Sequence, residues 1–289
     1  MIDVGVHWSI HLDVTNACSL ACSNCTRLCA QVRKPFFMDL DMVERALLSL
    51  ADFPADSPPD PLTGRPKVVG CIGGEPTLHP QFAEIARMYE RILPDRRSRG
   101  LWSSGGRRYE ADRPLIKRVF GYENYNPHNE ECVHQPVLVA ICDVIKDEVE
   151  MRRLIDACWL QKTWAATITP KGAFFCEVAG ALDMVFDGPG GVPVEPGWWR
   201  RPLKDFQEQI DTWCHRCGAA LPLDGRHDHE RLDDVSETNL AALRAADSPC
   251  IASGRCVVFD PSDYCLDDHA RNWQPNRYLI GRYRTKKER

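Results

Sequence analysis

The chain contains no apolar run that approaches the length of a membrane span. Its N-terminus also lacks the basic-then-apolar layout of a secretory signal. Both absences point away from membrane partners and toward a cytoplasmic setting. There is no excess of positive charge: the net charge is −5, which gives no general attraction to nucleic acid. What the chain has in quantity is cysteine, 14 residues of it. Without a secretion signal, so many thiols argue for metal or redox use rather than a disulfide framework. At 289 residues the chain can bury a sizeable core.

Three of the cysteines, Cys18, Cys22 and Cys25, are spaced C-x3-C-x2-C just after an apolar segment. Three thiolates fall short of the four protein ligands usual for structural zinc. They suit a cubane iron–sulfur cluster with one iron left open for chemistry. Downstream, Lys67–Ile72 reads as a buried strand running into Gly73-Gly74-Glu75-Pro76 ahead of a helical segment, Gln81–Ile92. Two glycines let the backbone approach a ligand closely, and a carboxylate can pair with a cation. An ordinary strand-to-helix turn would use the same residues.

Together these motifs resemble radical S-adenosylmethionine (SAM) enzymes. The resemblance implies that Cys18, Cys22 and Cys25 hold a [4Fe–4S] cluster whose open iron is chelated by SAM. It also implies that Gly73, Gly74, Glu75 and Pro76 bind the methionyl ammonium. The cluster would then cleave the sulfonium to a 5′-deoxyadenosyl radical, drawing its electron from a donor such as flavodoxin or ferredoxin. Where that family usually has an aromatic residue before the third cysteine, this chain has Asn24.

The coarse pattern alternates strand and helix. Trp8–Val14 reads as the first strand, and Asp39–Leu50 as a helix with Leu40, Val43, Ala46, Leu47 and Leu50 at helical spacing. Phe53–Pro66 is Pro-rich loop, and Leu101–Ser104 a third strand entering Gly105-Gly106. Val119–Asn126 and Pro136–Cys142 are expected as further strands, and Asp147–Cys158 as a helix. Such alternation implies an α/β fold with a mainly parallel sheet. The resemblance makes it a partial (β/α)6 barrel, with its site at the C-terminal ends of the strands, and makes Ser103 and Ser104 candidates to meet the cofactor's ribose. A plain loop is the other reading of that turn.

A second cysteine pattern follows. Cys158 ends a helical segment, Thr163–Thr169 and Ala173–Val178 read as a hairpin carrying Cys176, and Cys214-His215-Arg216-Cys217 comes later. Four such thiolates suit either zinc or a closed iron–sulfur cluster. Beside the first motif, the order resembles the twitch form of the SPASM domain, which implies an auxiliary [4Fe–4S] cluster on Cys158, Cys176, Cys214 and Cys217. The likeness extends to aminocyclitol (2-deoxy-scyllo-inosamine) dehydrogenases. The expected organisation is a radical SAM barrel over 1–150, an auxiliary-cluster region over 151–220, and an extension over 221–289 that could cover the barrel mouth.

Among the other cysteines, Cys250 is a candidate hydrogen-atom donor to a substrate radical, while Cys29, Cys71, Cys132, Cys142, Cys256 and Cys265 read as small buried hydrophobes. The polar run Glu123–Glu131 offers His128 or Glu130 as a proton acceptor for a polyhydroxylated substrate, or else is a solvated loop. Glu177, His7 and His11 are weaker candidates, and His227-Asp228-His229 reads as surface. Arg271 and the basic residues from Arg277 to Arg289 form a solvated tail or an anion contact. The expected reaction is hydrogen abstraction from a sugar, nucleotide sugar or aminocyclitol, ending in oxidation at a carbinol carbon or, with a thiol donor, in epimerisation. A peptide substrate ranks lower, because only 17 residues precede Cys18, where peptide-modifying relatives carry a leader-binding domain. A zinc-stabilised binding module is the non-enzyme alternative.

Overall fold

The computed structural model describes residues 1–56, 66–126, 128 and 132–273. Glu130, most of the Pro-rich loop and the basic tail beyond Trp273 therefore lie outside the described residues.

β1 (Ser9–Thr15) is buried along its whole length and shows why the sheet forms. Its alternate residues Ile10, Leu12 and Val14 join the hydrophobic core, while Ser9 and His11 face the central cleft. α1 (Leu40–Ser49) starts where the Asp39 carboxylate accepts a hydrogen bond from the Met42 N–H at 2.7 Å, and it buries Val43, Ala46 and Leu47. β2 (Val68–Gly73), α2 (Phe82–Ile92), β3 (Arg99–Ser103), α3 (Arg107–Val119) and β4 (Tyr122–Tyr125) continue the alternation. β1 to β4 pair in sequence, all parallel.

The chain then leaves the sheet through β5 (Val133–His134), α4 (Ile141–Val144), α5 (Glu148–Asp156) and α6 (Trp159–Thr163). β6 (Ala165–Thr169) returns to pair parallel with the free side of β1. β7 (Gly172–Phe174) turns back antiparallel on β6 and ends the sheet, whose order is β4-β3-β2-β1-β6-β7. The fold is mixed α/β with a parallel-rich sheet, and its sixth strand is a hairpin partner rather than a sixth β/α repeat. α7 (Glu177–Val185) and α8 (Gln207–Trp213) pack outside. β8 (Arg226–His227) pairs with β5, and β9 (Asp233–Val235) pairs parallel with β10 (Cys256–Val258).

Two expected strands are corrected. Pro136–Cys142 is a buried turn leading into α4. Its backbone is satisfied by Gly218 N to Val137 O at 3.0 Å, Asn239 Nδ2 to Leu138 O at 2.9 Å, and Ala140 N to Ser236 Oγ at 2.8 Å. An apolar run bonded by distant partners looks like a buried strand in one dimension. The strand expected over Ala173–Val178 stops at Phe174, and helix begins at Glu177. Residues 173–182 are buried throughout, so their pattern carries no period that separates strand from helix. No helix among the described residues is long and apolar enough to cross a membrane.

Candidate functional site

The C-terminal end of β1 delivers the cysteine loop, and the end of β2 locks it in place. Gly74 N donates to Thr15 O at 2.8 Å and Glu75 N to Ala17 O at 2.7 Å. The two glycines are needed for this approach. A Cβ on Gly73 would stand 2.0 Å from Thr15 O, and one on Gly74 would stand 2.4 Å from Ala17 O. The backbone they admit is that of the loop itself. The Glu75 side chain is buried and turned away from the cleft. It accepts from Thr77 N and Oγ1, from Ser103 Oγ, and from Ser104 N and Oγ at 2.7–3.2 Å. Its carboxylate therefore organises the tips of β2 and β3, and the serine hydroxyls point at it.

Asn24 has a local reason to replace an aromatic residue. Its φ is +49°, a left-handed conformation that asparagine tolerates better than bulky side chains do. Its amide also clamps the C-terminal segment: Nδ2 donates to Asp234 at 2.8 Å, and Oδ1 accepts from Asp234 N at 2.9 Å. Asn24 N donates to Asp233 at 2.5 Å, and Ser23 N to Asp228 O at 2.9 Å.

Cys18, Cys22 and Cys25 all line a cleft of ≈ 230 Å³ at the C-terminal ends of the parallel strands. Gly73, Gly74, Ser103 and Ser104 line it too. Trp8, Trp102 and Tyr122 line it as well, with ring centroids 4.9–6.3 Å apart. Cys29 also reaches this cleft and hydrogen-bonds to Cys25, which holds the Cys25 thiol below its ordinary pKa. Beneath the loop, Arg27 enters the core. Its guanidinium meets Glu177 at 2.5 Å and Asp13 at 3.3 Å, and Glu177 also meets His11 at 3.2 Å. Burial pushes the Asp13 carboxyl up to about 6 against the pull of Arg27. Removing one partner from such a buried pair costs roughly 3–5 kcal/mol, because a charge is left uncompensated.

On the cleft wall, His128 Nδ1 contacts the Asp228 carboxylate and lies 3.8 Å from the Cys22 sulfur. Asp228 is 4% exposed, so the surface reading of His227-Asp228-His229 is wrong at its central residue. An Nδ1–H held by that carboxylate leaves Nε2 with its lone pair, 3.5 Å from the Asn126 amide. Nearby, His134 Nδ1 meets Ser23 O at 2.7 Å and His134 Nε2 meets the Cys132 sulfur at 3.3 Å. The group Cys22, His128 and Asp228 is also close enough to hold a metal ion.

Cys158, Cys176, Cys214 and Cys217 converge as well, around a second, small apolar cavity. The Cys217 sulfur accepts from Ala219 N at 3.4 Å. Burial, with neighbouring thiols adding to it, pushes Cys176 up to about 12 and drives Cys214 and Cys217 upward too. Four neighbouring thiols that resist ionisation together, Cys176 buried and the other three half-buried, are a donor set that a cation would relieve. Leu160 and Ala219 line both cavities and form the wall between them.

No protein-family model matches the chain, and no curated protein sequence does. Among solved structures, the crystal structure of BtrN in complex with AdoMet and 2-DOIA is similar. It is 13% identical, with a TM-score of 0.40, and the match covers 72% of this chain and 86% of that one.

Of the residues singled out in sequence, Cys18, Cys22, Cys25, Gly73, Gly74, Ser103, Ser104 and His128 meet at one cleft, while Glu75 and Pro76 are buried and do not line it. Cys250 does not line it. Its buried thiol faces Arg255 O at 3.1 Å and Asp233 at 3.4 Å. Sequence reading missed Asp228, Arg27 and the Cys132–His134 pair. For the first two, partners lie 100 and 150 residues away, and no local pattern marks them.

Proposed function

We propose that this chain is a radical SAM oxidoreductase that takes hydrogen from a small polar substrate at a carbinol carbon. The observation that carries the reading is the contrast between the two cysteine sets. The three thiols of the C-x3-C-x2-C loop open onto the first cleft, with Cys29 beside them engaged by Cys25, and four others close around a separate apolar cavity. An incomplete donor set facing a cleft leaves a coordination position for a ligand, and a complete one does not.

Cys18, Cys22 and Cys25 would hold a [4Fe–4S] cluster, which would supply the electron for reductive cleavage of SAM. Cys158, Cys176, Cys214 and Cys217 would hold a second cluster, whose chemistry is to accept the electron left after oxidation. The chain's own residues do the rest. The backbone of Gly73, Gly74 and Glu75 fixes the loop against β1. Trp8, Trp102 and Tyr122 give an aromatic wall that excludes water and offers a face for the C–H side of a ring. His128 Nε2, held by Asp228 on the other nitrogen, receives the hydroxyl proton. Oxidation is favoured over epimerisation because Cys250 lies off the cleft.

Iron and sulfide content with low-temperature EPR, with and without SAM, tests this on anaerobically reconstituted protein. The expected result is about eight irons per chain and a spectrum perturbed by SAM. About four irons plus one zinc would remove the electron acceptor and with it the oxidation. No iron would sink the proposal. His128→Gln is expected to lower ketone or aldehyde formation by roughly 10²–10⁴-fold while 5′-deoxyadenosine still forms. Parallel assays of both products check this, and equal loss of the two would remove His128 from the role of base.

A further inference from the structure

We propose that the buried Arg27–Glu177 ion pair couples the two cysteine sets, so that filling the second set orders the loop that presents SAM to the first. This rests on the radical SAM reading above. Arg27 lies two residues after Cys25 and two before Cys29, inside the N-terminal cysteine loop. Glu177 directly follows Cys176 and opens α7. Their side chains meet at 2.5 Å, with both fully enclosed: Glu177 is 0% exposed and Arg27 6%. Each is the other's neighbour across 150 residues of sequence.

The geometry leaves little slack. Cys176 is the N-cap residue of α7, directly ahead of Glu177. A ligand that fixes this sulfur fixes the first turn of α7 and with it the Glu177 carboxylate. Glu177 also holds His11 on β1 at 3.2 Å, while Arg27 meets Asp13, two residues further along β1, at 3.3 Å. The guanidinium is thus gripped from α7 and from the central strand together. Through Arg27, the positions of Cys25 and Cys29 depend on where α7 begins. Binding free energies linked in this way are reciprocal, so an effect in one direction requires the same factor in the other.

The test uses the full chain in four forms: parent, Cys158/Cys214→Ala, Glu177→Gln, and the combination. The readout is the SAM concentration that half-converts the reduced cluster's EPR spectrum, together with iron per chain. Removing the second cysteine set is expected to weaken SAM binding roughly tenfold, and Glu177→Gln to do the same. The combination is expected to be no weaker than Glu177→Gln alone, since coupled changes do not add. Independent, multiplying effects would overturn the coupling, as would unchanged SAM affinity in Cys158/Cys214→Ala. If Glu177→Gln does not fold by circular dichroism, Arg27→Met/Glu177→Gln replaces it, because it leaves no buried charge unpaired. A parent protein without iron would instead defeat the radical SAM reading itself.

Discussion

A Cys18/Cys22/Cys25→Ala variant is expected to hold about four irons fewer than the parent and to form no detectable 5′-deoxyadenosine. The three thiols share one short loop on one cleft, and His128, 3.8 Å from the Cys22 sulfur, is already engaged by Asp228. The second cysteine set is separated from the first by Leu160 and Ala219, so its iron should survive the change. The retained signal should show no perturbation by SAM. Iron analysis and EPR on the two proteins, reconstituted side by side, check the expectation. A variant that keeps all its iron would mean that other residues hold the metal.

Gly73→Ala is expected to be nearly as damaging without touching a sulfur. Its new methyl group would sit 2.0 Å from Thr15 O, a backbone atom that cannot rotate aside. Either β2 separates from the loop, losing the Gly74 and Glu75 N–H bonds to Thr15 and Ala17, or the loop shifts. Overpacking against a fixed backbone costs about 3 kcal/mol or more. Urea unfolding should show the loss, and iron content should fall in the same protein. Full stability with full iron loading would mean that the tight seam between β1 and β2 is unimportant.

The parts of this molecule that were legible in sequence are those whose signal is local. β1, β2, α1 and α2 announce themselves through apolar period and short turn motifs, and both cysteine sets through spacing. Pro136–Cys142 was misread because its burial comes from Ser236, Asn239 and Gly218, which a window of ten residues cannot contain. Asp228 was misread for a related reason. Flanked by two histidines in a polar stretch, it has every local mark of surface, and only the fold brings it to His128. Asn24 looked like a missing aromatic contact until its two-way bonding with Asp234 gave it a task of its own.

That clamp also sets a timetable for biosynthesis. The cysteine loop is synthesised ahead of the Asp233 carboxylate, which accepts from Asn24 N and lies 209 residues later. At typical synthesis rates of about 5–20 residues per second, the loop waits on the order of 10–40 s for that partner. During this interval the exit-side chain holds bare thiols without the hydrogen bonds that shape them. The final shape of the loop is therefore set only once the C-terminal segment that carries Asp233 and Asp234 has been made.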